Sequence, residues 1–482
     1  KRNNYFTLGV LHFHLELVFA ILQVIMKVKI TNPATNKVIG TIDSSTPKYI
    51  HEKVLAAKKA QDDWGNLGVG KRVEILKSVF RELENHLDEI GDMSTKSIGM
   101  PVSQRGILDL EAGVEYFKWY LENAEEILKP EVCYEDETSI NTVYYQPTGV
   151  VAAIAPWNFP FCNFVWSVVP SLIVGNTVVF KHASECGFVG KIIEKCIENS
   201  SLPKGVFSEV YGGSKIGDAL VHENIDMIVF TGSTAVGKYL YNVAAKKLIK
   251  ILLELGGSAP GIVFEDANLN KVAETVFFNR FANSGQICDG LKRLIVHKNI
   301  VSEVEKTLTE MLSKKKVGDP QDPLVEIGPL VSKRQVNTLN DQVSDALAKG
   351  AMVILGGKKP DNLPETYFGS TLLTNISQDM RVWKEEVFGP VLPIITFNTE
   401  EEALSLANDT EYGLGGYVLT EDKERANRVA ARIKTGMISI NGTLYLHPSS
   451  PFGGYKKSGI GREHGKYGLH ELCQIKVVAM EK

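Results

Sequence analysis

From Gly149 onward the chain repeats one pattern, in which a short apolar run, a stretch of helical periodicity and another apolar run succeed each other. Residues 150–155, 177–181, 227–231 and 251–253 are the apolar runs, and residues 188–199 and 236–245 are the helices between them. Apolar runs without polar alternation suit strands buried on both faces, and strands separated by helices pair in parallel. The pattern predicts an α/β fold, a parallel sheet with helices on both sides.

The alternation resumes after Gly257, with strands expected at residues 261–264, 293–297, 351–355, 416–420 and 436–440 and helices at 301–314 and 401–408. Two α/β units follow, meeting near residues 254–257. Ahead of them, Leu76, Val79, Phe80, Leu83, Leu87 and Ile90 recur at helical spacing, so residues 71–90 read as one amphipathic helix, with another at 50–64. Two segments break the alternation: residues 140–146 alternate like a half-exposed strand, and residues 472–480 form a strand-like run at the end. Both read as edge strands, available to each other or to another chain.

A chain of 482 residues with 44% hydrophobic and 23% charged residues has the balance of a protein with well-buried cores. A formal net charge of -4 gives neither the basic excess of a nucleic-acid binder nor an acidic tail. The cysteines, Cys133, Cys162, Cys186, Cys196, Cys288 and Cys473, form no Cys-x-x-Cys pair and no Cys/His cluster of zinc spacing. No metal is expected, and a reducing, cytoplasmic setting is. Residues 1–25 stand apart. Their apolar stretch is interrupted by His12, His14, Glu16 and Gln23, and Met26 opens what looks like an ordinary domain start. They read as an N-terminal extension or a misassigned start rather than a membrane anchor.

Cys288 lies in Asn283-Ser-Gly-Gln-Ile-Cys-Asp-Gly, a setting of turn residues that displays the thiol rather than packing it. Glu254 ends a presumed strand between apolar residues, where partial desolvation raises a carboxyl pKa toward that of a useful base. Asn158 sits in Pro156-Trp-Asn-Phe-Pro, a rigid loop after a strand, where its amide can donate to an oxyanion. Phe230-Thr-Gly-Ser-Thr follows a strand and opens a helix, whose free N–H groups suit a phosphate. Each also has an ordinary reading: a packed cysteine, a capping glutamate, a turn asparagine, a plain strand–helix turn.

Taken in order, these blocks, with Leu253-Glu-Leu-Gly-Gly, Glu385-Glu-Val-Phe-Gly-Pro and Pro451-Phe-Gly-Gly-Tyr-Lys-Lys-Ser-Gly, closely resemble the aldehyde dehydrogenase superfamily. The resemblance runs from about Ile30 to the C-terminus. It implies NAD(P)-dependent oxidation of an aldehyde through a thiohemiacetal and a thioester on Cys288, with Asn158 holding the oxyanion and Glu254 activating water. It implies that Glu386 and Phe388 position the nicotinamide ribose and ring, that Lys181 and Ser184 face the adenosine ribose, and that Ser233 and its helix receive the pyrophosphate. Ile154, Trp157, Phe230, Gly232, Val236, Leu255 and Gly256 complete the expected cofactor cleft. The implied architecture is a Rossmann-type cofactor domain (residues 26–128 and 148–253), a catalytic domain (254–444) and a β arm for oligomerisation (129–147 and 466–482), in a homodimer or homotetramer with no nucleic-acid or membrane partner.

Three departures bear on function. Asp289 places a carboxylate beside the nucleophile, which disfavours an anionic aldehyde if it points into the site. Ser184 stands where NAD-preferring members carry a glutamate, so NADP should be tolerated, unless Glu185 substitutes. Lys181-His-Ala, Lys292-Arg293 and Gly468-Leu-His-Glu-Leu resemble a bacterial succinate-semialdehyde dehydrogenase subgroup, which implies a short semialdehyde substrate such as succinate semialdehyde. The alternatives are broad specificity for aliphatic or aromatic aldehydes, coenzyme A-acylating relatives, which lack the equivalent of Glu254, and a silent binding or structural member, which would lack Cys288, Glu254 or Asn158.

Overall fold

The computed structural model describes residues 26–482, so the reading of residues 1–25 lies outside the described residues. The chain forms two large α/β sheets, a three-stranded antiparallel sheet and an N-terminal hairpin of Lys27–Asn32 and Lys37–Asp43. Among the described residues, no helix is long and apolar enough to cross a membrane, and no group of three metal-ligating side chains gathers.

The first large sheet has the strand order Gly459–Ile460, Lys250–Glu254, Met227–Thr231, Val150–Ile154, Thr177–Lys181 and Phe207–Glu209, parallel except for the first. The chain winds outward from the Val150 strand to Phe207–Glu209. It then returns to the other side of Val150 and winds outward again. The strand order therefore reverses between Val150–Ile154 and Met227–Thr231, and a crevice opens at their C-terminal ends, the usual ligand position in an open α/β sheet. The second sheet runs Met352–Leu355, Thr371–Thr374, Val391–Phe397, Leu291–His297, Ala259–Val263, Tyr417–Leu419 and Ser439–Ile440. Each sheet is wrapped by helices over its own core, with Phe117, Phe161, Phe164 and Phe180 buried against the first and Trp383, Val391 and Phe397 against the second.

The expected strands near residues 150, 177, 227 and 251 form the parallel heart of the first sheet. Elsewhere the structure corrects the reading. Residues 71–90 are not one helix: Val69–Glu84 ends at Asn85, and Leu87–Ile98 begins anew with Asp88 and Glu89 in its first turn. The apolar spacing runs through the break because Leu83 and Ile90 are buried in one core, and periodicity records the buried face rather than the backbone path. The strand Met352–Leu355 is an antiparallel edge, not part of the parallel alternation, since no helix separates it from its partner Thr371–Thr374. Residues 436–440 form a strand only at Ser439–Ile440. The two edge segments pair with each other, Cys473–Glu481 lying antiparallel on Ser139–Pro147, with Glu131–Glu135 on the far side.

Candidate active site

The loop after the Val150 strand carries Trp157 and Asn158 into the crevice. It is fixed where it enters the helix Pro160–Val174: Pro160 is in the helix's first turn, and the buried Asp109 carboxylate accepts the N–H groups of Phe161 (3.3 Å) and Cys162 (2.8 Å). Burial pushes the Asp109 carboxyl up to about 7, with those two bonds opposing the shift. Asn158 is buried and stitched to the turn that carries Cys288. Its Nδ2 donates to Gln286 O at 3.0 Å, and its carbonyl accepts from Asn283 Nδ2 at 3.0 Å.

That turn is tightly wound. Asn283 (φ 46°), Ser284 (φ 54°) and Gly285 (φ 74°) are consecutive left-handed residues. Non-glycine residues hold such a conformation only when their surroundings over-determine it. Here Asn283 N–H donates to Gln104 Oε1 (2.8 Å), Ser284 Oγ to Gly328 O (2.9 Å), and Gln286 Oε1 accepts from Val331 N–H (2.9 Å). The polar residues that flag the turn in the sequence are thus its internal braces.

Cys288 is half-buried at the end of this turn, and its thiol donates to Asp289 Oδ1 at 3.7 Å. Burial pushes the thiol pKa well above its usual value, Asp289 adds to the rise, and Lys292 opposes it. Glu254, at the C-terminal end of its strand, is 1% exposed, and neither carboxylate oxygen has a hydrogen-bond partner among the described residues. Burial raises its carboxyl well above the ordinary range, the nearby Glu463 carboxylate pushes the same way, and Arg462 opposes.

Glu386 and Phe388 come from the second sheet, on the loop between Arg381–Lys384 and Val391–Phe397. The buried Arg280 guanidinium anchors this loop through Val387 O (3.0 Å) and Val391 O (2.9 Å), and Gln342 donates to Glu386 O (3.1 Å). The Phe388 ring meets Trp157 edge-on, with centroids 5.7 Å apart, so a loop from each of the two large sheets meets the other across the crevice.

One cavity of ≈ 520 Å³ brings together Cys288, Glu254, Asn158, Trp157, Gly232, Ser233, Leu255, Gly256, Glu386 and Phe388. Ile154, Lys181, Ser184, Phe230 and Val236 do not line it. Ile154 and Lys181 are register partners on neighbouring strands. Lys181 is buried, donates from Nζ to His182 O (3.1 Å), and is brought down to about 8 by that burial. Ser184 Oγ donates to Gly212 O (3.2 Å), Phe230 is buried in the sheet, and Val236 is exposed on its helix. The helix Thr234–Lys247 opens at Ser233 with no side-chain cap, leaving first-turn N–H groups beside the cavity wall made by Gly232 and Ser233. That arrangement fits the phosphates of a dinucleotide.

Several residues of the site escaped the sequence reading. Glu463 and His464 line the cavity and are buried, and burial pushes Glu463 up to about 7 and His464 down to about 3. Tyr116, Trp166, Glu111 and Glu115 line it from the helices Glu111–Ile127 and Pro160–Val174. Glu111–Ile127 is an ordinary amphipathic helix and Pro160–Val174 a helix buried nearly all round, and neither carries a local mark of a site. Lys292 did leave a mark: two consecutive cations interrupt an otherwise apolar strand.

The aldehyde dehydrogenase family model matches residues 23–478 of the chain. The chain is 36% identical over 458 residues to the peroxisomal aminoaldehyde dehydrogenase 1 of Pisum sativum, covering 93% of this chain and 91% of that enzyme. It is 35% identical over 455 residues to the mitochondrial succinate-semialdehyde dehydrogenase of Arabidopsis thaliana, covering 94% and 86%. The crystal structure of a Mycobacterium tuberculosis aldehyde dehydrogenase complexed with NAD+ superposes with a TM-score of 0.91 at 31% identity, covering 95% of each chain.

Proposed function

The chain belongs to the aldehyde dehydrogenase family, and on that premise we propose that it oxidises an aldehyde to the carboxylate with NADP or NAD as cofactor. The observation that carries this reading is the convergence of Cys288, Glu254 and Asn158 on one cavity that also takes in Ser233, Glu386 and Phe388. Cys288 Sγ attacks the aldehyde carbon, and the thiol proton leaves to a carboxylate. The oxyanion of the resulting thiohemiacetal is held by Asn158 Nδ2 and the Cys288 N–H. Bound along the crevice, a nicotinamide dinucleotide supplies the acceptor for the hydride whose loss leaves a thioester on Cys288. Glu254 then takes a proton from water, which attacks the thioester, and the acid departs as Cys288 is restored. A base that is buried and raised in pKa is suited to that step near neutral pH.

The dinucleotide's seat is the unit of residues 26–128 and 148–253, with Ile154, Lys181, Ser184, Phe230 and Val236 along its adenosine half and Glu386 and Phe388 of the 254–444 unit at the nicotinamide. The strand Cys473–Glu481 exposes Ile475, Val477 and Met480 on the rim of the small sheet formed by residues 129–147 and 466–482. That apolar edge supports pairing with a second copy in a dimer or tetramer.

The sequence points to a short semialdehyde, and a specific observation favours a second class. Besides Glu254 and Glu463, which burial raises, and Glu386, which pairs with Lys292, the cavity is lined by Glu111, Glu115 and Asp289, with no lysine or arginine among its described lining residues, and by the rings of Tyr116, Phe159 and Trp166. A carboxylate-bearing semialdehyde meets these groups without a counter-ion. A cationic aldehyde, such as the aminoaldehydes in the name of the pea relative, meets carboxylates and aromatic faces that attract it. The test is absorbance at 340 nm with NADP and with NAD, comparing succinate semialdehyde, 4-aminobutanal and neutral aliphatic aldehydes, for wild type and Cys288→Ala. Turnover that vanishes in the variant supports the mechanism, and the preferred aldehyde decides the class. No turnover of any aldehyde, with coenzyme A also supplied, overturns the reading.

A further inference from the structure

The site holds a cation that none of the steps above uses. Lys292 is fully buried on the strand Leu291–His297, just beyond the Cys288 turn. Its ammonium places its three donors on Gly257 O (2.8 Å), Cys288 O (2.8 Å) and Glu386 Oε1 (2.5 Å). The same Glu386 oxygen accepts the Gly257 N–H at 3.1 Å. The other oxygen, Oε2, accepts no hydrogen bond among the described residues. It lies where a Cβ on Gly256 would come within 2.2 Å, so glycine at 256 gives that oxygen its room.

Burial pulls the Lys292 ammonium down from its usual pKa, and Glu386 is the main influence holding it up. A buried ammonium persists when it is paired and its donors are satisfied, and both conditions are met here. The lysine thereby ties together three segments: the loop after Glu254, the turn of Cys288 and the loop of Glu386.

We propose that Lys292 is a positioning residue that clamps Glu386 Oε1 against the Cys288 turn, leaves Oε2 alone to take the ribose hydroxyls of the cofactor, and cancels the carboxylate's charge beside the nicotinamide. The proposal rests on Glu386 being the nicotinamide-ribose residue. The charge balance matters because the oxidised nicotinamide ring is a cation and the reduced ring is neutral. Next to a neutralised Glu386, the two forms feel little electrostatic difference. Without the ammonium, an unpaired carboxylate in a poorly solvated cavity favours the cation.

The test is binding of oxidised and reduced dinucleotide to the enzyme by calorimetry at pH 8.5. In Lys292→Met the ratio of the reduced to the oxidised dissociation constant is expected to rise about tenfold. Lys292→Arg, which keeps the charge, should hold the wild-type ratio, and Lys292→Met combined with Glu386→Gln should return to it. If Lys292→Met does not fold, Glu386→Gln alone opens the pair from the other side and should move the ratio the opposite way. A folded Lys292→Met, or failing that a Glu386→Gln, with the wild-type ratio overturns the proposal while leaving the function reading intact. A wild type that binds neither dinucleotide overturns both.

Discussion

A Cβ on Gly453 would stand 2.7 Å from Glu254 Oε1, closer than a real Cβ approaches an oxygen, and Gly453 itself has φ +150°. The glycine-rich stretch that begins at Pro451 therefore forms the wall against which the candidate base rests. In Gly453→Ala the carboxylate must move. The expected result is a fall in kcat of about 100-fold, the scale on which a misplacement of about 1 Å acts, with dinucleotide affinity near wild type. Steady-state kinetics paired with dinucleotide titration would check it, and an unchanged kcat would remove Glu254 from the base role.

The acid limb of the rate profile should lie well above the ordinary carboxylate range, because burial raises Glu254 and its base form is lost as pH falls through that raised pKa. Glu463 adds to the rise. Glu463→Gln removes a like charge, so Glu254 ionises at lower pH and the limb moves toward acid. The pH dependence of kcat for both proteins reads this directly, and a limb that stays put or moves toward base contradicts the coupling.

Acid should also destabilise the fold through His464. Its folded pKa is depressed to about 3 from the usual 6.5 of an imidazole, by burial. The folded state then binds fewer protons than the unfolded state between those values. The contribution is present above pH 6.5 and is lost as pH falls toward 3. His464→Gln should flatten the loss of Tm across that window in scanning calorimetry.

Asp289 is held by Tyr445, whose hydroxyl donates to Oδ2 at 2.7 Å, and it faces the same cavity as Cys288. Asp289→Asn keeps the shape and removes the charge. The kcat/KM for succinate semialdehyde should rise relative to that for 4-aminobutanal by about tenfold, the effect of one unit charge near a substrate at an intermediate dielectric. An unchanged ratio would mean that the carboxylate does not read substrate charge.

On the proposal that Ser184 faces the adenosine ribose, it carries no charge to repel a 2′-phosphate, as a glutamate would. Wild type is expected to work with NADP, and Ser184→Glu should lower kcat/KM for NADP by about tenfold or more while sparing NAD. Strict dependence of the wild type on NAD would refute the assignment.

Much of this was legible because the sequence states it locally. The buried strands are unbroken apolar runs, and the motifs of Asn158, Glu254 and Cys288 sit at strand ends and turns, where short-range chemistry dictates the backbone. What could not be read were relations over long sequence distances. The thiol's partner Asp289 is sequence-adjacent, but its brace Tyr445 is not. Glu463 approaches Glu254 only because Gly459–Ile460 pairs with Leu253 and Glu254. The break at Asn85 was hidden because both helices bury residues on one continuous face. Lys292 was visible as an oddity, but only the fold supplies its three partners.

The pairing of Gly459–Ile460 with the end of the Lys250–Glu254 strand also has a consequence for how the protein is made. During synthesis from the N-terminus, the strand that ends in Glu254 emerges long before the segment that covers its outer side. Until residues 459–460 have left the ribosome, that sheet edge is open and the pocket around Glu254 lacks a wall.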